Sequence, residues 1–416
     1  MTTTAPQILT FGCRLNVYES EVMRDHAKNA GLDDAIIVNT CAVTKEAERQ
    51  ARQAIRKARR KNPDAKIIVT GCSAQIDPDT YAGMDEVDQI IGNDLKLKAE
   101  TWGAPSEEKI RVNDIMSVTE TASHLLQGFE DHSRAFLQVQ NGCDHRCTFC
   151  IIPFGRGNSR SVPIGVIAEQ IKTLTDQGYN EVVLTGVDVT SYGPDLPGKP
   201  TFGQMIRRVL ALNPDLPRLR LSSLDPVEID EDLWSLIENE PRLMPNLHIS
   251  MQSGDNMILK RMKRRHSRED LINMCNRARK MRPDMSFGAD IIAGFPTETE
   301  EMFQNTMDIV QQCDLTFLHV FPYSEREGTP AAKMPSVDHA IRKDRAKRLR
   351  DLGDQQLQKF LKRGLGQTMQ ALVEKDNSAR SENFTPIKLS SPQKAGTLVR
   401  IQTQNIEGNA LTASIL

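Results

Sequence analysis

Asn141-Gly142-Cys143-Asp144-His145-Arg146-Cys147-Thr148-Phe149-Cys150 is the stretch on which the reading of this chain turns. Three cysteines spaced C-x3-C-x2-C can aim their sulfurs at one small inorganic core, because the loops between them are short. A tetrahedral zinc site needs a fourth ligand, and the nearest candidate, His145, would have to fold back into the same knot. A 4Fe–4S cluster accepts three thiolates, from Cys143, Cys147 and Cys150, and leaves one iron open. An open iron is where S-adenosylmethionine can chelate through its amino and carboxylate groups and be cleaved by one electron. The triad follows a strand-like run, Phe136–Gln140, which suits the first strand of a barrel.

Outward from this stretch, six β-branched or apolar runs follow one another: Phe136–Gln140, Glu181–Gly186, Arg218–Leu221, Leu247–Met251, Ser286–Ile292 and Phe317–Phe321. Helical patterns separate most of them, among them Val166–Gln177, Phe202–Leu212, Glu269–Arg282 and Thr299–Gln312. Six β-α units predict an open, three-quarter (β/α)6 barrel over residues 129–360, with its chemistry at the carboxyl ends of the strands. The residues offered there are polar. Gly186 would leave backbone exposed to a methionyl amino group. Ser250 and Gln252 share one face of their strand, and Asp290 alternates with Gly288 and Ile292. Gly186, Ser250, Gln252 and Asp290 are therefore the expected cofactor neighbours, the alternative for each being ordinary strand-end capping. His248 and His319 fit no ligand spacing and read as structural. Arg156 and Arg160, glycine-flanked in Phe154-Gly-Arg-Gly-Asn-Ser-Arg160, read as a mobile grip on substrate phosphate. Lys260–Arg265 is a dense basic patch, and Arg342–Arg350 a basic helix that suits the outside of the barrel.

Before the barrel, residues 1–128 hold three similar units. Ile8–Phe11 leads into Gly12-Cys13, Ala35–Val38 into Asn39-Thr40-Cys41, and Lys66–Thr70 into Gly71-Cys72. Helical stretches at Glu19–Asn29 and Thr44–Lys61 lie between, which predicts a small α/β domain with its ligands at the strand ends. Any one of these cysteines alone reads as a small hydrophobe finishing a strand. Repetition at one structural position instead makes Cys13, Cys41 and Cys72 the ligands of a second cluster. Asn16 suits a bond to a bound sulfur or a simple turn. Arg49, Arg52, Arg56, Lys57, Arg59, Arg60 and Lys61 on the second helix have no acidic neighbour among them, and read equally as a solvated face or a phosphate-contact surface. Leu95–Gln127 reads as an edge element plus a linker. After Gly364-Leu-Gly366, short alternating strands at Thr368–Glu374, Phe384–Leu389, Leu398–Thr403 and Asn409–Ile415 predict a small open β-barrel over residues 361–416.

Composition bounds the setting. A formal charge of −2 over 416 residues excludes a globally basic nucleic-acid binder but not local basic surfaces. No run approaches the roughly 18 apolar residues of a membrane span, and Met1–Pro6 has neither the basic start nor the apolar run of a signal peptide. Eight cysteines in so long a chain are not a secreted disulfide framework, and their placement suits ligation in a reducing cytoplasm. Cys275 and Cys313 lie in helical patterns and read as buried thiols.

At Gly12-Cys13, Asn39-Thr40-Cys41, Gly71-Cys72 and Cys143-x3-Cys147-x2-Cys150, the chain resembles the radical S-adenosylmethionine methylthiotransferases over essentially its whole length. The resemblance implies an auxiliary 4Fe–4S cluster on Cys13, Cys41 and Cys72, a radical S-adenosylmethionine core, and an RNA-binding-type TRAM barrel at the carboxyl end. Of the family's branches, Gly12–Ser20, Leu221–Pro226 and His319–Pro330 look like the one that modifies threonylcarbamoyladenosine at position 37 of tRNA. Arg14 departs from that pattern, where lysine is usual, and Ser381-Glu382-Asn383 is a worn form of the tail's threonine-glutamate-asparagine signature. The resemblance further implies that S-adenosylmethionine serves as both methyl donor and radical source. It also implies that the tRNA anticodon arm is the substrate and that a flavodoxin or ferredoxin supplies the electron. Rival readings are isopentenyladenosine in tRNA, a ribosomal-protein aspartate, and a non-catalytic iron–sulfur RNA-binding protein.

Overall fold

The three β-branched runs of the first domain pair side by side because each is apolar on both faces and needs helices above and below. In the computed structural model, which describes residues 6–103, 107–119, 126, 128–129 and 132–416, they form strands Gln7–Thr10, Ala35–Thr40 and Lys66–Gly71. Two short strands, Gln89–Ile91 and Ile110–Arg111, complete a parallel five-stranded sheet in sequence order. Most of the start Met1–Pro6 and part of the expected linker lie outside the described residues. The first helix runs Arg14–Asn29, five residues longer at its start than its apolar pattern predicts, so Cys13 occupies its N-cap. The second, Lys45–Lys61, opens on Thr44, whose hydroxyl accepts from Ala47 N, with Glu46 and Glu48 in its first turn.

All six expected barrel strands form: Ala135–Gln138, Glu181–Thr185, Arg218–Leu221 with its continuation Ser223–Leu224, Asn246–Gln252, Ser286–Ala293 and Phe317–Pro322. They are parallel and in sequence order, in a three-stranded and a four-stranded sheet. Among the described residues the first and last strands do not pair, so the barrel is open. Two helices that the patterning missed, Glu231–Asn239 and Asn256–Met262, fill βα connections, each capped by an aspartate, Asp230 and Asp255. The long helix His339–Arg363 packs over the last two strands. Its arginines serve the barrel wall: Arg345 pairs with Glu298 at 2.8 Å and Arg348 with Glu300 at 2.7 Å.

The tail is a closed barrel rather than an open one. A fifth strand, Ser378–Ser381, bridges Thr368–Lys375 and Pro386–Leu389, and Leu398–Glu407 pairs with the first strand to close the ring. Ser-Ala-Arg-Ser has no apolar alternation, which is why patterning did not find it. This barrel seals the amino-terminal end of the larger one. Arg220 donates to the carbonyls of Ser381 and Glu382, Ser286 Oγ donates to Asn383 O at 2.7 Å, and Arg134 pairs with Glu374 at 2.8 Å. The Phe384 ring lies under the Arg220 and Arg380 guanidinium groups. Ser381-Glu382-Asn383, read as a worn RNA signature, therefore serves here as an interdomain cap.

Candidate active site

Cys13, Cys41 and Cys72 follow three neighbouring parallel strands, whose spacing of about 4.8 Å brings their carboxyl-end loops together. The fit is close enough to require glycine: a Cβ on Gly12, where φ is +99°, would lie 2.8 Å from Cys41 Sγ. Burial raises the Cys41 thiol to about 12, with Cys72 and Cys13 adding to the effect. Donors nevertheless point at the sulfurs. Val43 N lies 3.5 Å from Cys41 Sγ, Asn93 Nδ2 3.8 Å from Cys72 Sγ, and Arg156 Nε 3.2 Å from Cys72 Sγ. Thiolates of a metal cluster are stabilised in this way, so the residues fit such a group.

Arg156 was expected to be a mobile phosphate grip. It is instead buried, 2% exposed, and ties the two domains together. It reaches from the end of the short helix Ile152–Arg156 to Glu19 (2.7 Å), Asn16 (2.6 Å) and Cys72. Lys96, wholly buried, meets the same Glu19 at 2.6 Å. Burial opposes ionisation of Glu19, but Arg156 and Lys96 outweigh it and hold the carboxyl down at about 2. Arg160 is also buried, its guanidinium donating to the carbonyls of Arg156, Asn158 and Val118. Both arginines were misread because flanking glycines suggest mobility, while the partners that fix Arg156 lie up to 140 residues away. Asn16 acts within the same site, donating to the carbonyls of Phe11 and Thr40.

The second triad faces the first. Burial raises Cys150 to about 11, and Cys147 and Cys72 both contribute, so the radical-loop cysteine feels the other site's sulfur. At Gly155 a Cβ would come within 3.2 Å of Cys72 Cβ. His145 meets Asp188 at 3.0 Å and Glu228 at 3.7 Å, which lift its imidazole to about 9, and the same Asp188 oxygen lies 3.7 Å from Cys143 Sγ. His145 does not join the cysteines as a fourth ligand. Gly142 (φ +72°) packs on Asn158 O where a Cβ would collide. Arg264 brings Nη1 to 3.6 Å from Cys147 Sγ while pairing with Asp225 at 2.9 Å. Arg265 pairs with Glu228 and Arg261 donates to Thr297, so the arginines of Lys260–Arg265 are engaged within the protein rather than forming a free basic patch.

The expected cofactor residues divide. Ser250 alternates with buried Ile249 and Met251 and so faces the barrel lumen, whereas Gln252, at φ +67° and paired with Ile291 beyond a register shift, sits in a strained turn that breaks the alternation. At Gly186 the space of the absent side chain is filled by Gln140, whose carbonyl would lie 2.7 Å from a Cβ, while the glycine itself stays partly exposed. Asp290 is in the lumen but engaged: His248 Nε2 and His319 Nδ1 meet its Oδ1 at 3.0 and 3.2 Å. Burial opposes its ionisation, but these bonds depress its carboxyl well below the usual range. His248 and His319, read as structural, are both satisfied by this one carboxylate on the strand between theirs, and pairing strand registers would have placed Asp290 opposite His319. Glu19, Lys96, Asp188 and Glu228 left no comparable local signal.

On the helix Lys45–Lys61, Arg49 pairs with Glu46 and Arg59 with Asp88, both at 2.6 Å, acidic partners that lie outside the basic stretch itself. Arg52, Arg56, Lys57, Arg60 and Lys61 have no ion-pair partner among the described residues. Its amino-terminal end abuts the barrel: Arg326 pairs with Glu48 at 2.8 Å, and Lys45 N donates to Ser324 Oγ.

Comparison with known proteins agrees with this arrangement. Residues 137–310 match the radical SAM superfamily, and residues 6–92 match an uncharacterized protein family, UPF0004. The threonylcarbamoyladenosine tRNA methylthiotransferase MtaB of Rickettsia prowazekii is 59% identical, over 96% of this chain and 95% of its own. The protein of the same name from Aquifex aeolicus is 36% identical, over 94% and 98%. A tRNA-2-methylthio-N(6)-dimethylallyladenosine synthase from Bartonella bacilliformis is 33% identical, over 97% and 94%. Among solved structures, the radical S-adenosylmethionine methyltransferase TsrM of Kitasatospora setae superposes with a TM-score of 0.57 at 13% identity. It covers 80% of this chain and 74% of that one, a likeness of fold.

Proposed function

The chain belongs to the radical S-adenosylmethionine methylthiotransferases, and from that membership we propose that it adds a methylthio group to carbon 2 of N6-threonylcarbamoyladenosine in the tRNA anticodon arm. The observation that carries this reading is the meeting of two cysteine triads across one domain interface. Cys13, Cys41 and Cys72 would hold the auxiliary cluster, and Cys143, Cys147 and Cys150 the cluster that binds S-adenosylmethionine, with Ser250 and Gln252 lining its space. When bound, these groups supply the methyl donor, the sulfur and the radical; the chain supplies position and exclusion of water. Asp188 and Glu228 hold His145 beside Cys143, Arg264 braces Cys147, and Arg156 clamps the two triads together. Identity favours the threonylcarbamoyl branch over the isopentenyl one, 59% against 33%. A flavodoxin or ferredoxin is the proposed electron donor. Among the described residues no helix is long and apolar enough to cross a membrane.

The test supplies reconstituted enzyme separately with tRNA bearing threonylcarbamoyladenosine, tRNA bearing isopentenyladenosine, and the ribosomal protein, followed by mass spectrometry for added methylthio. Modification of the first substrate alone supports the reading. Turnover of only the second or third would overturn the branch. A reconstituted protein that neither binds S-adenosylmethionine nor turns over any of the three would overturn the enzyme.

A further inference from the structure

With Arg156 and Arg160 buried, the anionic substituent of the target base needs a partner elsewhere, and the barrel lumen offers one. Along Asn246–Gln252 and Ser286–Ala293, Leu247, Ile249, Met251, Phe287, Ala289 and Ile291 are at most 1% exposed and pack in the apolar core. Their neighbours His248 and Asp290 therefore point the other way, into the lumen. His319, on the adjoining strand, joins them. Side-chain exposure rises from 13% at His248 through 24% at Asp290 to 56% at His319, so the cluster opens toward solvent rather than being sealed. A Cβ on Gly288 would lie 2.4 Å from His248 Nδ1; the glycine makes the space in which that imidazole lies. Both histidines bond the same oxygen of Asp290, so Oδ2, His248 Nδ1 and His319 Nε2 have no hydrogen-bond partner among the described residues.

Arg14 completes the set. It is the first residue of the helix after Cys13, half-buried, with no hydrogen bond or ion pair among the described residues. Besides burial, the charges that act on it are Arg134, Arg220 and Glu181 at the sealed end of the barrel and then Asp290, so the guanidinium is turned toward the barrel interior. The first domain thus contributes a free cation to a cavity whose wall carries a carboxylate and two imidazoles.

Resting on the proposed family reading, we propose that Arg14, His248, Asp290 and His319 form the receptor for the N6 substituent of the target adenosine, an acyl-type side chain that ends in a carboxylate. Arg14 takes the carboxylate, and the free oxygen of Asp290 accepts from the substituent's hydroxyl or urea N–H. An isopentenyl group would leave Arg14 and the free oxygen of Asp290 without a partner, the situation in which a polar site discriminates most against an apolar analogue.

The test uses reconstituted holoenzyme and fluorescent anticodon-arm hairpins carrying threonylcarbamoyladenosine or plain adenosine at the target position, with the ratio of their Kd values as the readout. Wild type is expected to prefer the modified hairpin. Arg14→Met and Asp290→Asn are expected to lower that preference about tenfold or more, and Arg14→Lys to keep most of it. Iron content reports whether each variant retains its clusters; should Arg14→Met lose iron, Asp290→Asn, on a strand away from both triads, decides. An unchanged preference in Asp290→Asn and in an iron-replete Arg14→Met would overturn this inference alone. A wild-type enzyme that shows no preference and modifies only isopentenyl tRNA would overturn both this inference and the functional reading.

Discussion

At Arg156 two cations meet one carboxylate inside the protein. Glu19 and Lys96 are wholly buried and Arg156 nearly so, which leaves one positive charge without an internal counterion. The guanidinium faces Cys72, and the thiolates of a cluster there would supply the missing negative charge. Arg156→Met should therefore do two things. It removes a buried hydrogen-bonding guanidinium while Lys96 still neutralises Glu19, at a cost of about 1–3 kcal/mol in urea unfolding from the partners left unsatisfied. It should also lower the midpoint potential of the auxiliary cluster, because losing a nearby positive charge disfavours the reduced and more negative state. The potential is best read in a Cys147→Ala background, where the other cluster is removed. Unchanged potential in a stable Arg156→Met protein would show that the approach to Cys72 is packing only. A companion variant, Cys41→Ala, should lose the auxiliary cluster and methylthio insertion while still producing 5′-deoxyadenosine; methylthiolated product from it would refute the ligand assignment.

Among the elements, the helix His339–Arg363 holds a pH-sensitive contact. Arg345 reaches Glu298, which is almost wholly buried and also accepts from Gly294 N. Burial outweighs Arg345 and raises the Glu298 carboxyl to about 7. A carboxyl raised above its unfolded value of about 4.5 binds more protons folded than unfolded. Stability from this group is therefore fully present below about 4.5 and lost as pH rises through 7, a loss of about 3 kcal/mol. Glu298→Gln should flatten that slope in thermal unfolding measured from pH 5 to 8; a slope identical to wild type would count against the assignment. The same scale explains what could be read in advance. Parallel strands covered on both faces announce themselves as β-branched runs, and all six barrel strands and the first domain's three cysteine-tipped strands were legible. Helix Arg14–Asn29 was not legible at its start, because Arg14-Leu-Asn-Val-Tyr mixes a half-buried arginine and an asparagine bonded to the Phe11 and Thr40 carbonyls with buried Leu15 and Tyr18 rather than forming one apolar stripe. Charged side chains misled for a related reason: composition shows how many arginines a segment has, whereas burial and distant carboxylates decide which remain free.

Across the whole molecule, the outer two domains close the central barrel from opposite ends. The first lies over the carboxyl ends of the strands, where both triads meet, and the tail caps the other end through Glu181, Arg134, Arg218 and Arg220. Because the tail's signature residues are committed to that cap, the helix Lys45–Lys61 becomes the favoured surface for tRNA phosphates. It sits beside the active-site mouth, anchored by Glu48 to Arg326, and carries Arg52, Arg56, Lys57, Arg60 and Lys61 without ion-pair partners among the described residues. Each phosphate neutralised by such a side chain releases a counterion, so affinity should fall with salt in proportion to how many phosphates are neutralised. Replacing Arg52, Arg56, Lys57 and Arg60 with glutamine should weaken tRNA binding and reduce the slope of log K against log salt by about 0.7–0.9 for each phosphate no longer neutralised. Arg49 and Arg59 already have acidic partners, so Arg49→Gln should change the slope far less. Cleavage of S-adenosylmethionine without tRNA should persist in the fourfold variant, since none of the four side chains touches either triad. A fourfold variant with the wild-type salt slope would move the tRNA surface to another face of the protein, and the tail barrel would be the first place to look.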